Sequence, residues 1–153
     1  MLTGFEQLSI GVHELYLTMH RVETKQMEKY GLRGAYVKYL VALLHTPEGL
    51  TISQLCEICD QDKAAVSRAV SELVGREFIW RDNPRKNHYR AKLKLSERGC
   101  ELAKEVCNSA KDAFDEAVAG LNQEQKDNLY ELMFAVSDNL HVIGMKKAER
   151  YEK

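Results

Sequence analysis

Two short amphipathic segments separated only by Asp60-Gln61 constrain this chain more than any other feature. The first opens at Leu50-Thr51-Ile52-Ser53-Gln54, where Thr51 and Gln54 stand three apart. At that spacing a hydroxyl and an amide satisfy orphan backbone N–H groups at a helix start, and the segment continues through Leu55, Cys56 and Ile58. In the second, Asp62 is a good N-cap, and Val66, Ala69, Val70 and Leu73 recur on one helical side. Two helices joined by so tight a turn make a helix-turn-helix. With that set inward, Lys63, Ala64, Ser67, Arg68 and Ser71 point outward, with Ala65 close by.

The flanks are helical too, with one exception. Phe5, Leu8, Val12, Leu15, Met19 and Val22 follow at intervals of 3, 4, 3, 4 and 3, a single stripe that Gly31 ends. A further helix is predicted from near Gly34, with Tyr36, Tyr39, Leu40, Leu43 and Leu44 inward, stopped by Pro47-Glu48-Gly49. The exception follows the second short helix. Phe78-Ile79-Trp80-Arg81 leads into a polar turn at 82–88, after which Tyr89, Ala91, Leu93 and Leu95 alternate with Arg90, Lys92 and Lys94. Period two predicts a half-buried strand, hence a hairpin with a basic outer face. Ser96 then caps a helix bearing Leu102, Val106, Ala110, Ala113, Phe114 and Ala117. Asn122 and Gln125 cap a last one bearing Leu129, Leu132, Met133, Val136, Leu140 and Ile143.

At 153 residues, with 44% apolar content and a net charge of -1, the chain can bury enough surface to fold, so disorder is excluded and one domain over 1–153 is expected. Four cysteines are too few for a secreted disulfide scaffold, and Met1-Leu2-Thr3-Gly4-Phe5-Glu6 has no signal-peptide pattern. The longest apolar run, Tyr39 to Leu44, covers six residues, whereas a membrane helix needs roughly 18. A cytoplasmic protein with no membrane role is expected. The near-neutral total conceals a dipolar layout: residues 81–94 carry +5, and residues 101–140 carry -6. The basic stretch suits a polyanion.

These elements, in this order, resemble the MarR-like winged helix-turn-helix transcriptional regulators. Leu55-Cys56-Glu57, then Asp62-Lys63-Ala64-Ala65-Val66-Ser67-Arg68 and Leu73, look like the family's two DNA-binding helices. Leu93-Lys94-Leu95-Ser96-Glu97-Arg98-Gly99 is similar to its Leu-x-Leu-Thr-x-x-Gly signature. Three departures stand out. Asp60-Gln61 replaces a usual Gly and apolar residue, and Glu77 stands where a glycine usually ends the recognition helix. At the wing, Asn87-His88-Tyr89 falls where the family has Asp-x-Arg, leaving its minor-groove arginine without a direct counterpart.

The resemblance implies a mainly α fold with a small β wing. The winged lobe would cover 32–96, flanked by dimerisation helices at 1–31 and 97–153. It also implies a homodimer, a pseudo-palindromic double-stranded operator, and repression relieved by a small-molecule effector. On this reading Lys63, Ala64, Ala65, Ser67, Arg68 and Ser71 face the major groove, while Arg85, Lys86, His88 and Arg90 on the wing follow the backbone or the adjacent minor groove. Phe5, Leu8, Val12, Leu15, Leu129, Leu132, Val136 and Leu140 carry more apolar surface than one small winged domain can cover. By analogy with the family's effector site, His20, Tyr36 and Tyr39 are candidate pocket residues.

Two rival readings use other features. Cys56, Cys59, Cys100 and Cys107 could serve a redox or metal sensor of the same fold, although Cys56-x-x-Cys59 has no second pair to complete a zinc set. Peroxide-sensing relatives carry a reactive cysteine in the first helix, where this chain has none. Alternatively, the winged unit could bind protein only. No paired-carboxylate motif, phosphate loop, nucleophile elbow or HExxH points to an enzyme, and no cofactor is expected.

Overall fold

The computed structural model describes residues 2–82 and 90–143 in full and the backbone alone over 144–151. The chain divides into two compact units, Met1–Ala113 and Phe114–Lys153. In the first, helix α1 (Gly4–Lys29) is followed by a 3-10 turn (Gly34–Tyr36), α2 (Val37–Leu44), α3 (Ile52–Cys59) and α4 (Lys63–Gly75). A two-stranded antiparallel sheet, β1 (Ile79–Arg81) and β2 (Leu93–Leu95), precedes α5 (Glu97–Ala117), which runs into the second unit. Helix α6 (Gln123–Tyr151) completes the chain.

Side-chain caps set the helix starts. Thr51 and Gln54 form a reciprocal capping box at α3, and the Asp62 carboxylate accepts from the Ala65 N–H at 2.9 Å to open α4. The Ser96 hydroxyl accepts from Gly99 N–H at 3.0 Å at the head of α5, and Asn122 and Gln125 cap each other's backbone at the head of α6. Thr3 and Glu6 add a box at α1 that the apolar stripe did not announce.

Helix ends explain the two departures at glycine positions. At the end of α1, Gly31 takes φ +66° while its N–H reaches the Glu28 carbonyl and the Leu32 N–H reaches Met27. This is a Schellman termination, with glycine at its left-handed residue. The end of α4 repeats the pattern without glycine: Glu77 has φ 61°, its N–H bonds Val74, and the Phe78 N–H bonds Leu73. Asp60, φ 48°, plays the same part after α3, with the Gln61 N–H on the Cys56 carbonyl. The turns therefore keep their shape and carry the strain of a Cβ in the left-handed region. Glu77→Gly is expected to raise stability by about 1 kcal/mol, and Asp60→Gly by less, since aspartate tolerates that region better. Thermal denaturation checks this; a lower Tm for Glu77→Gly would contradict it.

The first unit has one core. Met27, Leu40, Leu55, Val66, Val70, Leu73, Phe78, Ile79, Leu93 and Leu102 are essentially fully buried and draw on every helix from α1 to α5 and on both strands. The four apolar residues expected inward on α4, Val66, Ala69, Val70 and Leu73, are the four buried there. Phe78 ties the unit together, with the Tyr30 ring edge-on at 6.0 Å and the Arg98 guanidinium over its face at 4.3 Å. Gly99 explains the glycine of the Leu-x-Leu-Ser-x-x-Gly motif, because a Cβ there would stand 1.9 Å from the Phe78 carbonyl oxygen. Helix α5 approaches the backbone of Phe78, just ahead of β1, that closely only with a bare Cα.

The strand is shorter than the alternation of Tyr89 to Leu95 predicts. Regular pairing covers Leu93–Leu95, in the register Ile79↔Leu95, Trp80↔Lys94, Arg81↔Leu93, and continues one rung further through Asp82 N–H to the Lys92 carbonyl. The Asp82 carboxylate then accepts from Lys92 N–H at 2.8 Å, ending the ladder in a side-chain bond. The alternation itself survives in the burial: Ala91 and Leu93 are inside, and Arg90 is exposed. On the other edge of β2, Leu50 exchanges both backbone bonds with Leu93. Tyr36 lies in the 3-10 turn rather than in the following helix, and Leu44 is only half-buried.

In the second unit the Phe114 and Tyr130 rings meet at a tilt, 6.1 Å apart, beside Met133, Phe134 and Ser137, lining an apolar hollow of about 320 Å³. Large apolar side chains remain exposed on both terminal helices. On α1 these include Phe5 at 77% exposure, Leu8, Val12 and Leu15; on α6 they include Leu132 at 66%, Val136 and Leu140 at 62%. Leu129 is half-buried. Among the described residues no helix is long and apolar enough to cross a membrane.

Candidate nucleic-acid interface

Helix α4 presents the outward residues its periodicity predicts. Lys63, Ala64, Arg68 and Ser71 are exposed, and Ala65 and Ser67 are half-buried at the edges of the same face. The order is imposed from beneath: each turn of α4 drives one or two of Val66, Ala69, Val70 and Leu73 into the core, so the residues between them cannot turn in. The face combines one guanidinium, one ammonium, two hydroxyls and two methyls. Such groups can pair with guanine, donate to phosphates and meet a thymine methyl. Among the described residues Arg68 has no hydrogen-bond or ion-pair partner.

Beside α4 lies a cleft of about 340 Å³, lined by Arg33, Tyr36, Lys38, Tyr39, Gln61, Ala65, Arg68 and Glu72. The Tyr36 hydroxyl donates to the Glu72 carboxylate at 2.6 Å, and burial together with that bond pushes the phenol above its usual pKa. Burial likewise raises Tyr39. A second cleft, also about 340 Å³, is lined by Tyr16, His20, Glu23, Gly34, Ala35, Val37 and Lys38. There His20 Nδ1 stands 3.9 Å from Glu23, and its ring stacks with Tyr16 at 5.9 Å. The three candidate effector residues are thus not brought together, since Tyr36 and Tyr39 face one cleft and His20 the other. Spacing along α1 could not reveal this, because the 3-10 turn carries Ala35 between the two.

On the wing, Arg90 is exposed, while Arg85, Lys86 and His88 lie outside the described residues. Lys94 sits over the Trp80 ring at 5.9 Å, and the indole N–H donates to the Leu95 carbonyl at 3.2 Å. Sequence reasoning missed Arg33 and Lys38, the two further cations of the first cleft. They precede the helix-turn-helix and belong to no recognisable motif. It also missed the pairing of Tyr36 with Glu72, 36 residues apart.

Cys59 Sγ points to the Lys38 carbonyl at 3.7 Å, and burial pushes its thiol pKa up; burial does the same to Cys107. A thiol held protonated is a poor nucleophile. All four cysteines are free and half-buried, and among the described residues no three His, Cys, Asp or Glu side chains cluster as metal ligands would.

Residues 30–86, from the end of α1 through the first wing strand, match a sequence model of the MarR family. Solved structures of similar shape extend the likeness to nearly the whole chain. A MarR transcriptional regulator from Methanosarcina mazei Go1 superposes with a TM-score of 0.74 at 19% identity, covering 90% of this chain and 99% of that one. MepR, a transcription regulator of the Staphylococcus aureus multidrug efflux pump MepA, gives 0.69 at 16% identity, covering 91% and 99%. The reduced form of MarR from E. coli gives 0.70 at 18%, covering 89% and 98%. No curated protein sequence matches. The chain thus shares the winged helix fold of these structures, mostly helical with a small two-stranded wing, and its residues 30–86 carry the likeness to the MarR family.

Proposed function

We propose that this chain is a transcriptional regulator that binds double-stranded DNA in a sequence-specific manner as a homodimer in the cytoplasm, without catalysing a reaction. The observation that carries the reading is the outward face of α4: Lys63, Ala64, Ser67, Arg68 and Ser71 set over a buried seam, inside the lobe that matches the MarR family. That helix would enter the major groove, where base edges carry a distinguishable code. The wing, with exposed Arg90 and the sequence-placed Arg85, Lys86 and His88, would meet the backbone or the minor groove. The exposed apolar residues of α1 and α6 would be covered by a second copy, holding two recognition helices about 34–36 Å apart on a pseudo-palindromic site. Regulation would be repression relieved by a small molecule that favours one arrangement of the lobes, acting through differential affinity. The His20 cleft and the Tyr36–Tyr39 cleft, each of about 340 Å³, are the candidate sites for such a molecule.

A titration of the protein with duplex DNA across salt tests this. If the dimer neutralises about 6 to 10 phosphates, affinity will fall by about 10³ to 10⁵ between 50 and 200 mM salt. Absence of duplex binding at low salt would favour a protein-binding module instead.

A further inference from the structure

We infer that Tyr36 is a positioning residue for DNA recognition: its hydroxyl, with Arg76, holds the Glu72 carboxylate away from Arg68 and leaves that guanidinium available. This inference rests on the DNA-binding reading of α4. Arg68 and Glu72 are four residues apart on α4, both line the same cleft, and opposite charges at that separation meet readily on a helix. Yet they are not paired. Glu72 Oε2 accepts from the Tyr36 hydroxyl at 2.6 Å, and Oε1 lies 3.5 Å from Arg76 Nε. Arg76 is itself anchored, one end of its guanidinium donating to the Tyr30 carbonyl at 3.1 Å. Both carboxylate oxygens are thus engaged, one by a group from the 3-10 turn and one by a group from the next helical turn, and neither by Arg68.

The clamp suits its purpose chemically. A phenol is a neutral donor, and burial and the bond to Glu72 hold its pKa above the usual value, so it keeps its proton across physiological pH. Tyr36 is also buried in the cleft lining with its ring 6.3 Å from that of Tyr39, which fixes where its hydroxyl ends. Without it, half of the Glu72 carboxylate loses its partner while a guanidinium waits one turn away. An Arg68–Glu72 pair competes with a base or phosphate for the same donors and sets a negative charge against the DNA.

The experiment is a mutant cycle on the full-length protein, read as affinity for a duplex that the wild type binds, with helical content and thermal unfolding followed for each variant. Tyr36→Phe, which removes one oxygen, is expected to weaken binding by about two- to fivefold. Glu72→Gln is expected to bind at least as tightly as wild type, because the amide still accepts from Tyr36 and carries no charge to capture Arg68. The decisive variant combines Tyr36→Phe with Glu72→Gln. Recovery to the level of Glu72→Gln supports the inference, since a packing defect from the lost hydroxyl would persist in the double variant. Unchanged affinity in Tyr36→Phe, or a double variant as weak as Tyr36→Phe, would overturn it. Should Tyr36→Phe unfold, Arg76→Gln in the wild-type and Glu72→Gln backgrounds asks the same question of the other oxygen, and loss without recovery overturns the inference equally. A wild type that binds no duplex would instead refute the DNA-binding reading.

Discussion

Leu132→Asp will leave the helical content of the chain intact and abolish tight binding to a two-fold DNA site. Leu132 is 66% exposed in the single chain, so a carboxylate there costs its own helix little. A large effect therefore requires that something apolar covers it. On the proposed reading a second copy is that cover, because Leu132, Val136 and Leu140 on α6 and Phe5, Leu8, Val12 and Leu15 on α1 are large apolar side chains exposed in the single chain. A carboxylate buried in such a contact faces desolvation without a counter-charge, and the dimer gives way. Once the protomers separate, the second half-site no longer engages at a high effective concentration, so affinity should drop by about 10² to 10⁴. Sedimentation of the variant as a monomer, with the same circular dichroism as the parent, checks the first half, and operator titration checks the second. A dimeric variant with full affinity would move the contact elsewhere.

The second large effect falls on Arg68. Arg68→Ala should weaken binding by about 1 to 3 kcal/mol and relax preference at one position of each half-site, the mark of a lost bidentate contact to guanine. The structure lends this weight, because Arg68 is exposed at the centre of the outward face and has no hydrogen-bond or ion-pair partner among the described residues. Removing it breaks nothing in the fold. By contrast, Lys86→Ala on the wing should weaken all sequences alike and flatten the salt dependence, as expected of a phosphate contact. Equal and small losses from both would mean that α4 does not read the groove.

Much of this arrangement is legible in the sequence because its causes are local. The starts of α3, α4, α5 and α6 follow from Thr51, Asp62, Ser96 and Asn122, each acting within three residues. The inward set of α4 follows from its period, and so does the outward set. What escaped depends on distance or on substitution. The left-handed residues at Asp60 and Glu77 could not be read from residue type, because non-glycine residues sit there under strain, sustained at Glu77 by the packing of Phe78. The strand was overestimated because alternation continues through residues whose ladder ends at a side-chain bond from Asp82. The bond from Tyr36 to Glu72 spans 36 residues, and the separation of His20 from the two tyrosines depends on how one 3-10 turn is placed. No periodicity carries such information.

The most direct test of the central claim, that the outward face of α4 reads duplex DNA while the apolar helices hold two copies in phase, is selection of bound fragments from random duplex DNA by the full-length protein. The account predicts enrichment of a consensus with two-fold symmetry and half-site centres about one helical turn apart. Enrichment of an asymmetric single site, or of no sequence at all, would contradict it.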